Sequence, residues 1–214
     1  MQQLTAKEVE ICRLAEISVE DATFLKSLTN EPIELLEIPN YNEYPNRADQ
    51  PILKGIHSYS LYDDADRIVL NAYDRFQSDG KILFRSDTLY LNEKEAIERE
   101  LQADAVERAT ICLVATTNDP FHVIEAFETS WPNCRITNEA LLKQLKSWNE
   151  SYGLKIFHIS WDFIAAQLLK KDIDYDALAR EIFAMCADPD NIHHTLKVEI
   201  EGIKKTGNIT LWWD

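Results

Sequence analysis

Residues 109–115 read Ala-Thr-Ile-Cys-Leu-Val-Ala, a nearly continuous apolar run with β-branched members and no charge. Such a run marks a strand covered on both faces, and so a layered fold in which helices pack on a sheet. Downstream, Asn118-Asp119-Pro120 opens a helix through Phe127, with the proline at a first-turn position where its missing N–H costs little. Thr137 caps a second helix whose Leu141, Leu145, Trp148 and Tyr152 share one stripe, and Gly153 sits where a left-handed residue ends it. Leu154–Ile159 reads as a strand. Asp174 caps a helix with Leu178, Ile182 and Met185 inward, and another from about Asp190 presents Ile192, Leu196, Ile200 and Ile203. Gly207-Asn208 turns into a last strand, on which Trp212 and Trp213 should point to opposite faces and each bury a ring. This alternation of strands and helix pairs predicts an α/β or α+β fold with a mixed central sheet flanked by helices on both faces.

Upstream of residue 107 the texture differs. Thr5-Ala6-Lys7-Glu8 is a capping box, and Ser18-Val19-Glu20-Asp21 starts a second helix. Pro32–Ile38 alternates as a strand, and residues 39–51, with three prolines and three asparagines, read as a long surface loop. Lys54–Tyr62 is a strand. It leads into a helix whose acidic start is Asp63, Asp64 and Asp66 and whose apolar face is Val69, Ala72, Tyr73 and Phe76. Lys81–Arg85 is a further strand, and Asn92 caps a helix with Ile97, Leu101 and Ala105 inward. We therefore expect an N-terminal α+β region over residues 1–107 and an α/β domain over 108–214.

The 214 residues are 45% hydrophobic and 28% charged, with few Gly and Pro, the profile of a folded globule. A net charge of -15 disfavours nucleic acid and anionic membranes, whose phosphates need clustered Lys and Arg. A basic protein suits such a surface better. The start, MQQLTAKEVE, lacks the basic and apolar regions of a secretory signal, and no apolar run nears the ~20 residues that span a bilayer. We expect a cytoplasmic protein. In a reducing compartment the widely spaced Cys12, Cys112, Cys134 and Cys186 read as free thiols.

Five glycines form neither a dinucleotide fingerprint nor a P-loop, and H-E-x-x-H and G-x-S-x-G are absent. His193 and His194 are helix neighbours about 100° apart and do not chelate as an i, i+4 pair does. No metal or cofactor is expected. Two constellations remain. Tyr41 and Tyr44 with Asp63, Asp64 and Asp66 combine aromatics with acids as a protein interface does. Asn133, Cys134, Glu181 and Cys186, walled by Trp131 or Trp148, could line a pocket, with either cysteine close to His122 or His158.

Trp131-Pro132-Asn133-Cys134, then Trp148 with Tyr152-Gly153, Leu178-Ala179-Arg180-Glu181, Cys186 with Asp188, and Trp212-Trp213-Asp214 together carry a resemblance over residues 108–214. In order and spacing they resemble a bacterial family known only as a domain of unknown function, family 4253. The family pattern has a proline after each cysteine, where this chain has Arg135 and Ala187. The resemblance supplies a boundary and no reaction.

The leading expectation is a non-catalytic, protein-binding role, of the kind an immunity protein has when it neutralises a basic toxin or effector. The alternative is an enzyme or small-ligand domain built on the pocket around Asn133, Cys134, Glu181 and Cys186.

Overall fold

The computed structural model describes residues 3–39, 51–87, 108–127, 129, 136–160, 162–186 and 195–212, without the side chains of residues 39, 51, 52 and 186. Among them seven helices and seven strands make an α/β or α+β fold, in two compact units, Met1–Pro120 and Phe121–Asp214. Tyr41 and Tyr44, the helix expected from Asn92, Trp131 to Cys134, Asp190 to His194 and Trp213 lie outside the described residues.

In the first unit, α1 (Ala6–Ala15) begins at the capping box read from the sequence. The Thr5 amide donates to Glu8 Oε2 at 2.7 Å, and the Glu8 amide donates to Thr5 Oγ1 at 3.2 Å. The second helix, α2 (Val19–Thr29), is capped by Ser18, whose hydroxyl accepts from the Asp21 amide. The strands β1 (Glu34–Pro39), β2 (Pro51–Leu61), β3 (Ile82–Ser86) and β4 (Arg108–Val114) pair antiparallel, β1 with β2, β2 with β4 and β4 with β3. The helix α3 (Tyr62–Ser78) follows β2.

The apolar run at 109–115 forms β4, and residues 109–114 are all buried, as a two-sided strand requires. Gly55 of β2 lies so close to β4 that a Cβ there would sit 2.2 Å from the Leu113 carbonyl oxygen. Any side chain at this position must push the two strands apart.

In the second unit, α4 (Pro120–Ala126) precedes α5 (Asn138–Tyr152), which runs from a Thr137 cap to Gly153 at φ +68°. The strands β5 (Leu154–Ile159), β6 (Phe163–Leu168) and β7 (Asn208–Trp212) form an antiparallel ladder, and α6 (Tyr175–Cys186) and α7 (Leu196–Thr206) lie between β6 and β7 in sequence. Asp174 caps α6 as expected, accepting from the Ala177 amide at 3.0 Å. The start of α7 is set by Thr195, which accepts from the Val198 amide.

Two findings depart from the sequence reading. β6 was not anticipated, because Phe163-Ile-Ala-Ala-Gln-Leu168 is short, alanine-rich and without clear alternation; its pairing with β5 and β7 makes it a strand. Trp212 is 52% exposed, against the expectation that its ring is buried. β7 turns Ile209 and Leu211 inward and Thr210 and Trp212 outward, so only one face of this strand joins the core.

Glu8 joins three elements of the first unit. Lys26 of α2 donates to both carboxylate oxygens at 2.9 and 2.8 Å, and the Ile33 amide, just before β1, donates to Oε1 at 3.0 Å. Burial by itself pushes the carboxyl up, but the Lys26 ammonium, the Thr5 and Ile33 amides and the Thr5 hydroxyl outweigh it and hold the pKa down from 4.5 to about 2.

Because the folded-state value is depressed, this stabilisation is complete above about pH 4.5 and is lost as the pH falls toward 2. Urea unfolding at a series of pH values should show ~3 kcal/mol disappearing across that window, and Glu8→Gln should remove this component. Lys26→Met, which strands a buried carboxylate, should cost about 3–5 kcal/mol at neutral pH.

Candidate functional site

The second unit brings together two of the pocket residues read from the sequence. Trp148 is carried on the inward stripe of α5, where its indole is only 1% exposed. A buried indole N–H needs an acceptor. It finds one in Glu181 of α6, donating to Oε2 at 2.7 Å. Gln144, one turn before Trp148 on the same helix, donates to the same oxygen at 3.2 Å. Tyr152, a turn after Trp148, completes the group. Burial, then the negative charges of Glu181 and Asp174, push its phenol pKa up.

Glu181 therefore presents a carboxylate fixed through one oxygen by two donors, with Oε1 at an exposed position and without a donor among the described residues. Chemically this arrangement suits a cationic or hydrogen-bond-donating group. Gln144 and Tyr152 were not named as pocket residues, although their i, i+4 spacing from Trp148 places them along the same side of α5. Asn133, Cys134 and Trp131 lie outside the described residues, as does the side chain of Cys186.

A second polar group in this unit surrounds His158 and Ser160, both buried, whose Nε2 and Oγ lie 3.3 Å apart. Thr129 donates to the Ser160 carbonyl at 2.8 Å, and Asn138 donates to the carbonyls of Ile124 and Thr129. The Phe163 ring lies 4.4 Å from the His158 ring, centroid to centroid. His122, the other histidine considered beside the cysteines, is exposed on α4.

In the first unit the acidic start of α3 forms a surface feature. Asp63 and Asp64 occupy the first turn, where the helix dipole favours them, and Asp64 pairs with Arg67 at 2.6 Å. Asp66, its side chain half exposed, pairs with Arg85 of β3 at 2.9 Å. Arg85 is 4% exposed and also donates from Nε to Asp87 at 2.9 Å. Burial alone would pull the guanidinium down, but Asp87 and then Asp66 raise it. The same guanidinium stacks 3.8 Å over the Tyr62 ring. Tyr62 is thereby held at the surface, 42% exposed, beside Leu61 at 52%.

The thiols described are of one kind. Cys12 and Cys112 are buried and free, and burial raises both, Cys112 well above its ordinary value. A thiol held protonated in this way is a poor nucleophile. Among the described residues no three His, Cys, Asp or Glu side chains are grouped as a metal site would need, and no helix is long and apolar enough to cross a membrane.

Replacing Glu181 by Leu should leave the Trp148 N–H buried without an acceptor and cost about 1–3 kcal/mol in chemical denaturation. Glu181→Gln keeps an acceptor and should recover most of that loss. Removing the Glu181 charge should also lower the Tyr152 titration, read as a downward shift in the ultraviolet tyrosinate difference spectrum between wild type and Glu181→Gln.

No curated protein and no solved structure matches this chain. A family model described as "Domain of unknown function (DUF4253)" matches residues 86–214, which is more than half of the sequence and contains the Trp148–Glu181 group and the His158–Ser160 group. The chain belongs to the DUF4253 family.

Proposed function

We propose that this protein acts by binding another protein through the acidic, aromatic surface at the start of α3, and that its partner is basic. The observation that supports this reading is the Leu61–Tyr62 step, exposed, fixed from beneath by the buried Arg85, and flanked by Asp63 and Asp64. A preordered tyrosine beside acids loses little conformational freedom on docking, and aromatic anchors of this kind carry much of the binding energy of interfaces. Residues 1–120 hold 23 acidic against 12 basic side chains, a net of -11, which leaves -4 for residues 121–214. The acidic excess is thus concentrated in the unit that carries this surface, where it would steer a basic partner. Neutralisation of a basic toxin or effector, as an immunity protein performs it, is the specific form of this role that we propose.

The test is affinity capture of the tagged protein from lysate of its own cells at low and moderate salt. A stoichiometric basic partner, released by salt and lost with Asp63→Lys/Asp64→Lys and with Tyr62→Ala, is expected. Asp66 is left intact in these variants because it satisfies Arg85. A partner that binds the double charge reversal as well as the wild type would overturn the assignment of this surface.

A second reading has its own support. The meeting of Trp148 with Glu181, and the open Oε1 of that carboxylate, fit a small-ligand or catalytic pocket for a cationic group. A library of amines screened by thermal shift should then contain compounds that raise the melting temperature of the wild type but not of Glu181→Gln.

A further inference from the structure

We propose that β7 is a dimerisation edge, on which a second copy of this chain adds its own β7 in antiparallel orientation about a two-fold axis at Thr210. β7 pairs with β6 on one side, and no described strand lies on its other side. The hydrogen-bond phase of that pairing is fixed by the Leu168 amide, which donates to the Gly207 carbonyl at 2.8 Å. Alternation along an antiparallel ladder then directs Ile209 and Leu211 toward β6, and turns the N–H and C=O of Thr210 and Trp212 to the open edge. The Asn208 amide obeys the same phase: it donates to Thr206 Oγ1 and not to β6.

Proteins defend such edges with charges, prolines and bulges. The terminal strand of the first unit has all three: β1 carries Glu34, Glu37 and Pro39, with a register shift between Ile38 and Pro39. β7, Asn-Ile-Thr-Leu-Trp, has none of them, and it exposes Thr210 and the large Trp212 ring.

The charges beside the strand select the occupant. Asp162, one residue before the Phe163 that pairs with Trp212, marks the Trp212 end as acidic, and Asp214 follows in the sequence. Lys205, in the last turn of α7, marks the Asn208 end as basic, while Lys204 beside it is paired with Asp176 at 3.0 Å. Antiparallel pairing of two copies sets the acidic end of each against the basic end of the other. It also places Trp212 of each copy opposite Asn208 of the other, and Thr210 opposite Thr210, with no like charges facing. The -4 balance of residues 121–214 opposes this contact far less than the -11 of residues 1–120 would.

Sedimentation velocity of the full chain over a concentration series tests the proposal. The wild type should reach twice the 24.7 kDa of the chain. Thr210→Pro removes an outward N–H at a position where an edge strand tolerates proline, and it should shift the midpoint of association at least about tenfold while far-UV circular dichroism stays unchanged. Should that variant unfold, Thr210→Lys decides, because it sets two ammonium groups face to face across the axis and leaves the β6 ladder untouched. A wild type that stays monomeric at every concentration overturns the proposal. So does a dimer that a folded Thr210→Lys leaves intact.

Discussion

The helical layer of the first unit hangs on one carboxylate. Glu8 is buried, and a buried charge is tolerated only when it is paired and its lone pairs are filled. Its partners come from three places in the chain: its own helix cap at Thr5, Lys26 of α2, and the Ile33 amide just before β1. That pairing fixes where α1 and α2 sit and where the chain enters the sheet. Asp21, also buried, repeats the device further along: Ser18 binds it within α2, and Lys81, before β3, reaches it at 3.1 Å. These two carboxylates account for little of the -15 charge, but they locate the elements that carry the rest.

Arg85 does for the surface what Glu8 does for the interior. It is buried on β3, and it divides its donors between Asp66 of α3 and Asp87 while stacking on Tyr62. Asp63, Asp64 and Asp66 look equivalent as a sequence, yet the structure assigns them different roles. Asp66 belongs to the fold, Asp64 pairs at the surface with Arg67, and Asp63 has no partner among the described residues. Any docking chemistry at this surface must come from Asp63, Asp64 and the aromatic step, because withdrawing Asp66 would leave a buried guanidinium short of a partner.

What the sequence made legible was local, and what it hid was not. Thr5, Ser18, Thr137 and Asp174 cap helices because a short polar side chain answers amides two or three residues away, and that relation is written in consecutive letters. β4 was legible because two-sided burial leaves a continuous apolar run. β6 was not, since two alanines and a glutamine become a strand only through their partners on both sides. Trp212 misled because a large apolar residue states a preference for burial and not which face of a strand is covered. Trp148 and Glu181 could be named as pocket residues, but the bond between them spans 33 positions, and nothing local foretells it. The contribution of Gln144 was hidden for the same reason.

The partition of charge between the two units gives the acidity of this chain a physical meaning. If the negative charge served solubility alone, it would need no particular distribution, and the second unit has enough Lys and Arg to lie near balance. The excess lies instead with residues 1–120, where the buried carboxylates of Glu8 and Asp21 are already matched by Lys26 and Lys81, and the buried Arg85 by Asp66. That excess sits in the same unit as an aromatic step that is held rigid yet left exposed, against the usual tendency of large apolar groups. Two features that each oppose the simplest economy of a stable globule coincide on one unit, and the basic partner we propose would account for both.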